Sequence, residues 1–108
     1  MLLINKGCEI LRKVMLVEDD LSLAEVITDY LHFEGYWPEH FENGDDALKN
    51  YAKVEPDLVI LDVMLPGQSG FEIMQHIRKT SQVPIVMVSA KADDYNMMKG
   101  YDLGADDY

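Results

Sequence analysis

With 108 residues, 20 of them acidic and 9 basic, the chain is long enough for one domain with a real core and too short for two. Apolar residues make up 48% against 27% charged, so it lacks the low hydrophobicity that keeps acidic polypeptides disordered. A net charge of −11 repels phosphate backbones and anionic lipid, which argues against nucleic-acid or membrane-surface binding by this chain itself.

Cys8 is the lone cysteine, so no intrachain disulfide can form and a reducing, cytoplasmic location is expected. Apolar runs such as Leu58–Leu61 and Ile85–Val88 fall far short of the roughly 20 residues that cross a bilayer. The opening Met1–Ile4 is broken by Asn5, Lys6 and Glu9, leaving no signal-peptide core. Residues 1–12 stand outside the pattern that follows and are read as an N-terminal extension, with the domain over 13–108.

From residue 13 onward, short apolar runs alternate with stretches of helical spacing, which predicts a parallel sheet with crossover helices. The first strand is Val14–Val17, apolar without alternation as a strand covered on both faces should be, and it ends in Glu18-Asp19-Asp20. Leu23, Ala24, Ile27 and Leu31 mark the buried face of a first helix that Gly35 ends, with either Asp20 or a Ser22/Glu25 capping box at its start. Tyr36–Phe41 reads as a second strand, which Pro38 assigns to the sheet edge. Asn43-Gly44 reads as a turn, followed by a short helix on Ala47, Leu48, Tyr51 and Ala52 that closes near Pro56.

Leu58–Leu61, expected to be the most buried strand, carries Asp62 at its carboxyl end. A loop through Pro66-Gly67 and Ser69-Gly70 precedes a third helix on Phe71, Met74 and Ile77. Val83–Val88 forms the fourth strand, ending in Ser89, and a weaker fourth helix is expected over 93–103. His32, His40 and His76 lack the spacing of metal ligands, Lys91 reads as a solvated loop cation, and Met97 and Met98 as helix packing.

Ligands of an open parallel sheet bind beyond the carboxyl ends of the strands, where the strand order reverses. The strands taken as neighbours there end in Glu18-Asp19, Asp62 and Ser89. Each feature has a plainer reading: the acidic run as a helix cap, Asp62 as a turn former, Ser89 as a local backbone partner. Their joint occurrence favours a site. Two carboxylates about 4 Å apart repel by roughly 4 kcal/mol at an effective dielectric near 20. A cation relieves this, and a few hard oxygen ligands that leave room for water suit Mg²⁺. A carboxylate beside Mg²⁺ can accept a phosphoryl group, and a neighbouring hydroxyl can bond a phosphoryl oxygen.

Val14–Asp20, Leu58–Gly67, Val86–Lys91 and Gly104–Tyr108 together resemble the receiver domain of two-component response regulators. The likeness covers residues 13–108 and is strongest to the subfamily whose effector is a winged-helix DNA-binding transcription factor. The resemblance implies a flavodoxin-like, doubly wound α/β fold of strand order 2-1-3-4-5, for which a member of this family serves as a standard example. It implies Asp62 as phosphoacceptor, and Ser89 as the hydroxyl that contacts the phosphoryl group and drives the switch. It implies Mg²⁺ bound by Asp19, Asp62 and the Met64 backbone carbonyl, with Glu18 acting partly through water. The implied partners are a sensor histidine kinase, a second copy of the chain, and DNA only through a separate effector domain.

The family's fifth strand, its phosphoryl-pairing lysine and its fifth helix, part of the dimerisation face, lie beyond the residue matching Tyr108. The 108 residues thus read as a receiver incomplete at its C-terminus. Two other readings compete with phosphoacceptance: a degenerate receiver acting only through protein contacts, and an Mg²⁺-dependent phosphohydrolase with an aspartate nucleophile. Dehalogenase-like phosphatases place a second aspartate two residues after the first, where this chain has Met64, which counts against the phosphohydrolase.

Overall fold

The structure is a computed structural model describing residues 12–88 and 104–106. Its elements run β1 (Lys13–Val17), α1 (Leu21–Phe33), β2 (Trp37–Phe41), α2 (Gly44–Val54), β3 (Leu58–Asp62), α3 (Gly70–Arg78) and β4 (Ile85–Val88). All strand pairs are parallel, in the order β2-β1-β3-β4. The doubly wound order is therefore present over these four strands. The expected fourth helix and the strand end at Ser89 lie outside the described residues.

The chain steps from β1 outward to β2, then back across β1 to β3 and on to β4. Right-handed crossovers in opposite directions place α1 on one face of the sheet and α2 and α3 on the other. Alternation along the strands sends Met15, Val17, Val59, Leu61, Ile85 and Met87 to the α2/α3 face, where they pack with Ala47, Val54, Phe71, Ile73, Met74 and Ile77. Val14 and Leu16 point the other way and are equally buried.

Several local expectations need correction. β1, with all of Val14–Val17 buried, is the most covered strand; in β3 only Val59 and Leu61 are buried. The physical reason is that α1 follows the β1-to-β2 crossover, leaving Leu58 and Ile60 half-covered on that face. On α1 the contact line runs through Ala24 and Leu31, seven residues apart; Leu23 lies about 100° around the helix from Ala24 and is 44% exposed. Asn43-Gly44 is a helix start rather than a separate turn, because the Asn43 side chain caps α2 by accepting from Asp46 N–H at 2.8 Å. Ala52 faces solvent, and α2 instead buries Gly44, Ala47 and Val54. Ser69 caps α3 and Gly70 is its first residue. Of the two possible starts for α1, Asp20 is the cap, its Oδ1 accepting from Leu23 N–H at 3.1 Å.

Arg78, at the end of α3, ties the far edge of the sheet together. Its guanidinium donates to Val83 O at 2.7 Å, Ser81 O at 3.3 Å, Gly104 O at 3.0 Å and Asp106 Oδ2 at 2.8 Å. The same Asp106 oxygen accepts from Ile85 N–H at 2.8 Å, and Asp106 N–H donates to Ile85 O at 2.9 Å. Residues 104–106 are thereby stitched to the start of β4. Hydrogen bonds from charged donors contribute more than neutral ones, and these are partly buried, so Arg78→Ala is expected to cost about 2 kcal/mol. A urea titration should show a lower midpoint at unchanged slope; an unchanged midpoint would contradict this account.

Candidate functional site

β1 and β3 are adjacent and pair Val17 with Leu61, so the residues that follow, Glu18 and Asp62, emerge side by side at the carboxyl end of the sheet. There the acidic run divides its roles. Asp20 turns back to cap α1, while Glu18 and Asp19 stay at the strand end. One carboxylate oxygen from each of Glu18, Asp19 and Asp62 lies within 4.8 Å of the others. Glu18 is only 2% exposed, Asp62 is half-buried and Asp19 is exposed.

The backbone orients two of the three carboxylates. Asp20 N–H donates to Glu18 Oε2 at 3.1 Å, and Met64 N–H donates to Asp62 Oδ1 at 3.1 Å. An open cleft runs from Asp19 along the Val63–Gly67 loop to Ser69 and Glu72. Gly67, with φ of 79°, supplies the left-handed residue that this loop requires.

Burial, reinforced by hydrogen bonding and charge from Asp62 and by Asp19, and partly offset by the Asp20 N–H, pushes the Glu18 carboxyl up to about 7 from its ordinary 4.5. Three carboxylate oxygens within 4.8 Å of one another, in a cluster that disfavours the charge on buried Glu18, suit a small hard dication, so the residues present fit Mg²⁺. The sign of the pH effect follows. A carboxyl whose pKa rises on folding imposes no penalty below 4.5, a growing one as pH rises, and a full one above about 7. At about 1.4 kcal/mol per pKa unit, that penalty is of order 3 kcal/mol. Mg²⁺ is therefore expected to raise the melting temperature much more above pH 7 than near pH 4.5, as thermal unfolding with and without the ion would measure. A shift independent of pH would contradict this.

The structure thus brings together Glu18, Asp19 and Asp62 and sets Met64 beside Asp62 through its amide. Ser89 lies outside the described residues. Sequence reasoning weighed His40 only as a metal ligand and set it aside, whereas its ring Nε2 lies 2.7 Å from the Glu18 carbonyl. It also passed over Gly70, whose N–H donates to Val63 O at 2.9 Å and holds α3 against the end of β3. The signal for His40 was register: residues 37–41 laid beside 13–17 set His40 opposite Leu16, two residues before the acidic run.

Fold and site together define an open α/β domain with an acidic crevice at the carboxyl ends of its two central strands, the place where such sheets bind ligands. Residues 14–108 match the response regulator receiver domain, and the chain belongs to that family. It is 40% identical over 96 residues to the transcriptional regulatory protein BaeR of Escherichia coli, a match covering 89% of this chain and 40% of BaeR. To the DNA-binding response regulator MtrA of Mycobacterium tuberculosis it is 42% identical, over 90% of this chain and 42% of MtrA. The chain spans about two fifths of the length of these curated relatives. Among solved structures it resembles the BeF3-activated receiver domain of Klebsiella pneumoniae RstA, with a TM-score of 0.86 and 35% identity over 89% of this chain and 82% of that one. The BeF3-activated receiver domain of DrrB, an OmpR/PhoB homologue from Thermotoga maritima, gives 0.83 and 31% over 91% and 82%.

Proposed function

We propose that this chain accepts a phosphoryl group from a sensor histidine kinase onto Asp62, with Mg²⁺ bound, and so switches a transcriptional response. The observation that carries the reading is the meeting of Glu18, Asp19 and Asp62 within 4.8 Å at the strand ends of a receiver-family chain. Asp19, Asp62 and the Met64 carbonyl would hold the ion, and Glu18 would reach it through water. When bound, Mg²⁺ neutralises the charge that these carboxylates and the phosphoryl oxygens bring together.

The remaining work falls to the chain's own groups. Met64 N–H, on Asp62 Oδ1, fixes the carboxylate plane so that a carboxylate oxygen can approach phosphorus in line with the leaving group. A bond forms between that oxygen and phosphorus as the bond to the kinase imidazole nitrogen breaks, the electron pair leaving with the nitrogen. The Ser89 hydroxyl would then bond a phosphoryl oxygen and couple the new charge to the switch. The domain is a phosphoacceptor over 13–108, with 1–12 as an extension, and catalyses only its own phosphorylation and dephosphorylation.

BaeR is a transcriptional regulatory protein and MtrA a DNA-binding response regulator, which supports output to DNA through a separate effector domain. Among the described residues no helix is long and apolar enough to cross a membrane, and a cytoplasmic setting follows from the kinase partner. The test is intact mass before and after acetyl phosphate with Mg²⁺. Gain of one phosphoryl group, lost again in hydroxylamine, is expected; no gain would overturn phosphoacceptance and leave a domain acting by protein contacts.

A further inference from the structure

We infer that His40 is a positioning residue for the acidic crevice: by donating to the Glu18 carbonyl it fixes the Glu18–Asp19 peptide and so aims the Asp19 carboxylate. The inference rests on the metal-binding reading proposed above.

In a parallel pair, a residue on one strand receives its partner's bonds from both sides: its N–H donates to one residue and its carbonyl accepts from the residue two further on. Glu18 N–H donates to Phe41 O at 3.0 Å, so the next bond would come from Asn43 N–H to Glu18 O. That bond does not form, because β2 ends at Phe41 and Asn43 has left the sheet to cap α2. Asn43 Oδ1 accepts from Asp46 N–H, and its carbonyl accepts from Ala47 N–H at 3.3 Å. Glu18 O is thereby deprived of its ladder donor, in a residue only 2% exposed, where an unmade bond is costly.

His40 supplies the missing donor. It stands on β2 opposite Leu16, half-buried, with Nε2 at 2.7 Å from Glu18 O. A carbonyl only accepts, so Nε2 carries the proton. Nε2 is thus committed to the backbone and is not a metal ligand. Held by Phe41 O through its N–H and by His40 through its carbonyl, Glu18 presents a fixed peptide plane to Asp19. Asp19 is exposed, so little packing of its own directs its carboxylate. Outer-shell groups hydrogen-bonded to metal ligands typically change affinity by 10–100-fold, and His40, which acts on Asp19 through the neighbouring peptide, falls at the low end of that range.

The experiment is Mn²⁺ binding, followed by electron paramagnetic resonance, to the 108-residue chain and its variants. His40→Leu is expected to weaken binding by about tenfold. His40→Gln, whose amide N–H reaches a similar distance, should restore most of the affinity, whereas His40→Asn, one methylene shorter, should not. Leu and Gln variants that bind as wild type, or that are weakened equally, overturn the inference. If His40→Leu fails to fold, the Gln and Asn pair carries the same comparison. If the wild-type chain takes up no Mn²⁺, the metal reading fails by itself. The Glu18 carbonyl carbon resonance of the ion-free protein then decides: it must move in His40→Asn and return in His40→Gln, and an unmoved resonance overturns the positioning role.

Discussion

Asp62→Asn is expected to abolish phosphoryl uptake from acetyl phosphate and, in the same sample without Mg²⁺, to raise the melting temperature. The first effect is chemical. The amide keeps the shape of the side chain, and its oxygen can still accept from Met64 N–H as Asp62 Oδ1 does at 3.1 Å. It has no anionic oxygen to attack phosphorus, so the mass gain should vanish rather than slow.

The second effect is electrostatic and runs the opposite way. Asp62 contributes to the raised pKa of Glu18 both as a charge and as a hydrogen-bond partner. Removing its charge lets the Glu18 carboxyl fall toward its ordinary range, at about 1.4 kcal/mol of recovered stability per pKa unit. Burial, the largest cause, persists, so recovery is partial. The gain should be full above about pH 7, where Glu18 is ionised in both folded and unfolded chains, and should fade toward pH 4.5. A carboxylate that destabilises its own fold is the usual cost of a functional cluster. Retained phosphoryl uptake would remove Asp62 as acceptor. Lost uptake with unchanged stability above pH 7 would mean that the three carboxylates do not share one field.

The parts of the fold legible in the sequence were those governed by local pattern. The unbroken run Val14–Val17 announced a strand covered on both faces, and Leu58–Leu61 placed Asp62 at a strand end. Pro38 marked β2 as an edge, which the order β2-β1-β3-β4 bears out. The strand order itself came from family resemblance, since periodicity does not say which strands are neighbours. Local pattern failed wherever a distant backbone group set the outcome. The exposure of Leu23 depends on which line of α1 meets the sheet. Asn43 is a cap rather than a turn because α2 starts where β2 stops. His40 and Arg78 act on carbonyls 22 and 26 residues away in sequence, at Glu18 and Gly104, and no local motif encodes such a bond. The carboxylate cluster was legible because its members sit at strand ends, whereas its supports were not.

Gly70→Ala should damage fold and site together, and the reason is a contact rather than a torsion. Gly70 is not in the left-handed region, unlike Gly35, Gly67 and Gly104. A Cβ at Gly70 would sit 2.9 Å from the Asp62 carbonyl carbon and 3.0 Å from Val63 Cα, and closer still to Asp62 O. All three are backbone atoms at the end of β3, where Val63 N–H donates to Val88 O at 3.0 Å and Val63 O accepts from Gly70 N–H at 2.9 Å. None can yield as a flexible side-chain tip would, so either α3 lifts away or the β3 end shifts. Overpacking of this kind typically costs about 1–3 kcal/mol, and the rigidity of these partners sets Gly70→Ala at the upper end. Because Asp62 is the residue displaced, phosphoryl uptake should fall by more than the loss of folded protein explains. Gly67→Ala is the control: nothing lies within 4 Å of its Cβ, so only the backbone cost of a left-handed alanine, roughly 1–2 kcal/mol, should appear. Denaturant midpoints for both variants, with phosphoryl uptake corrected for folded fraction, separate the two causes. Equal stability losses with normal uptake in Gly70→Ala would show that the end of β3 can move without consequence for Asp62.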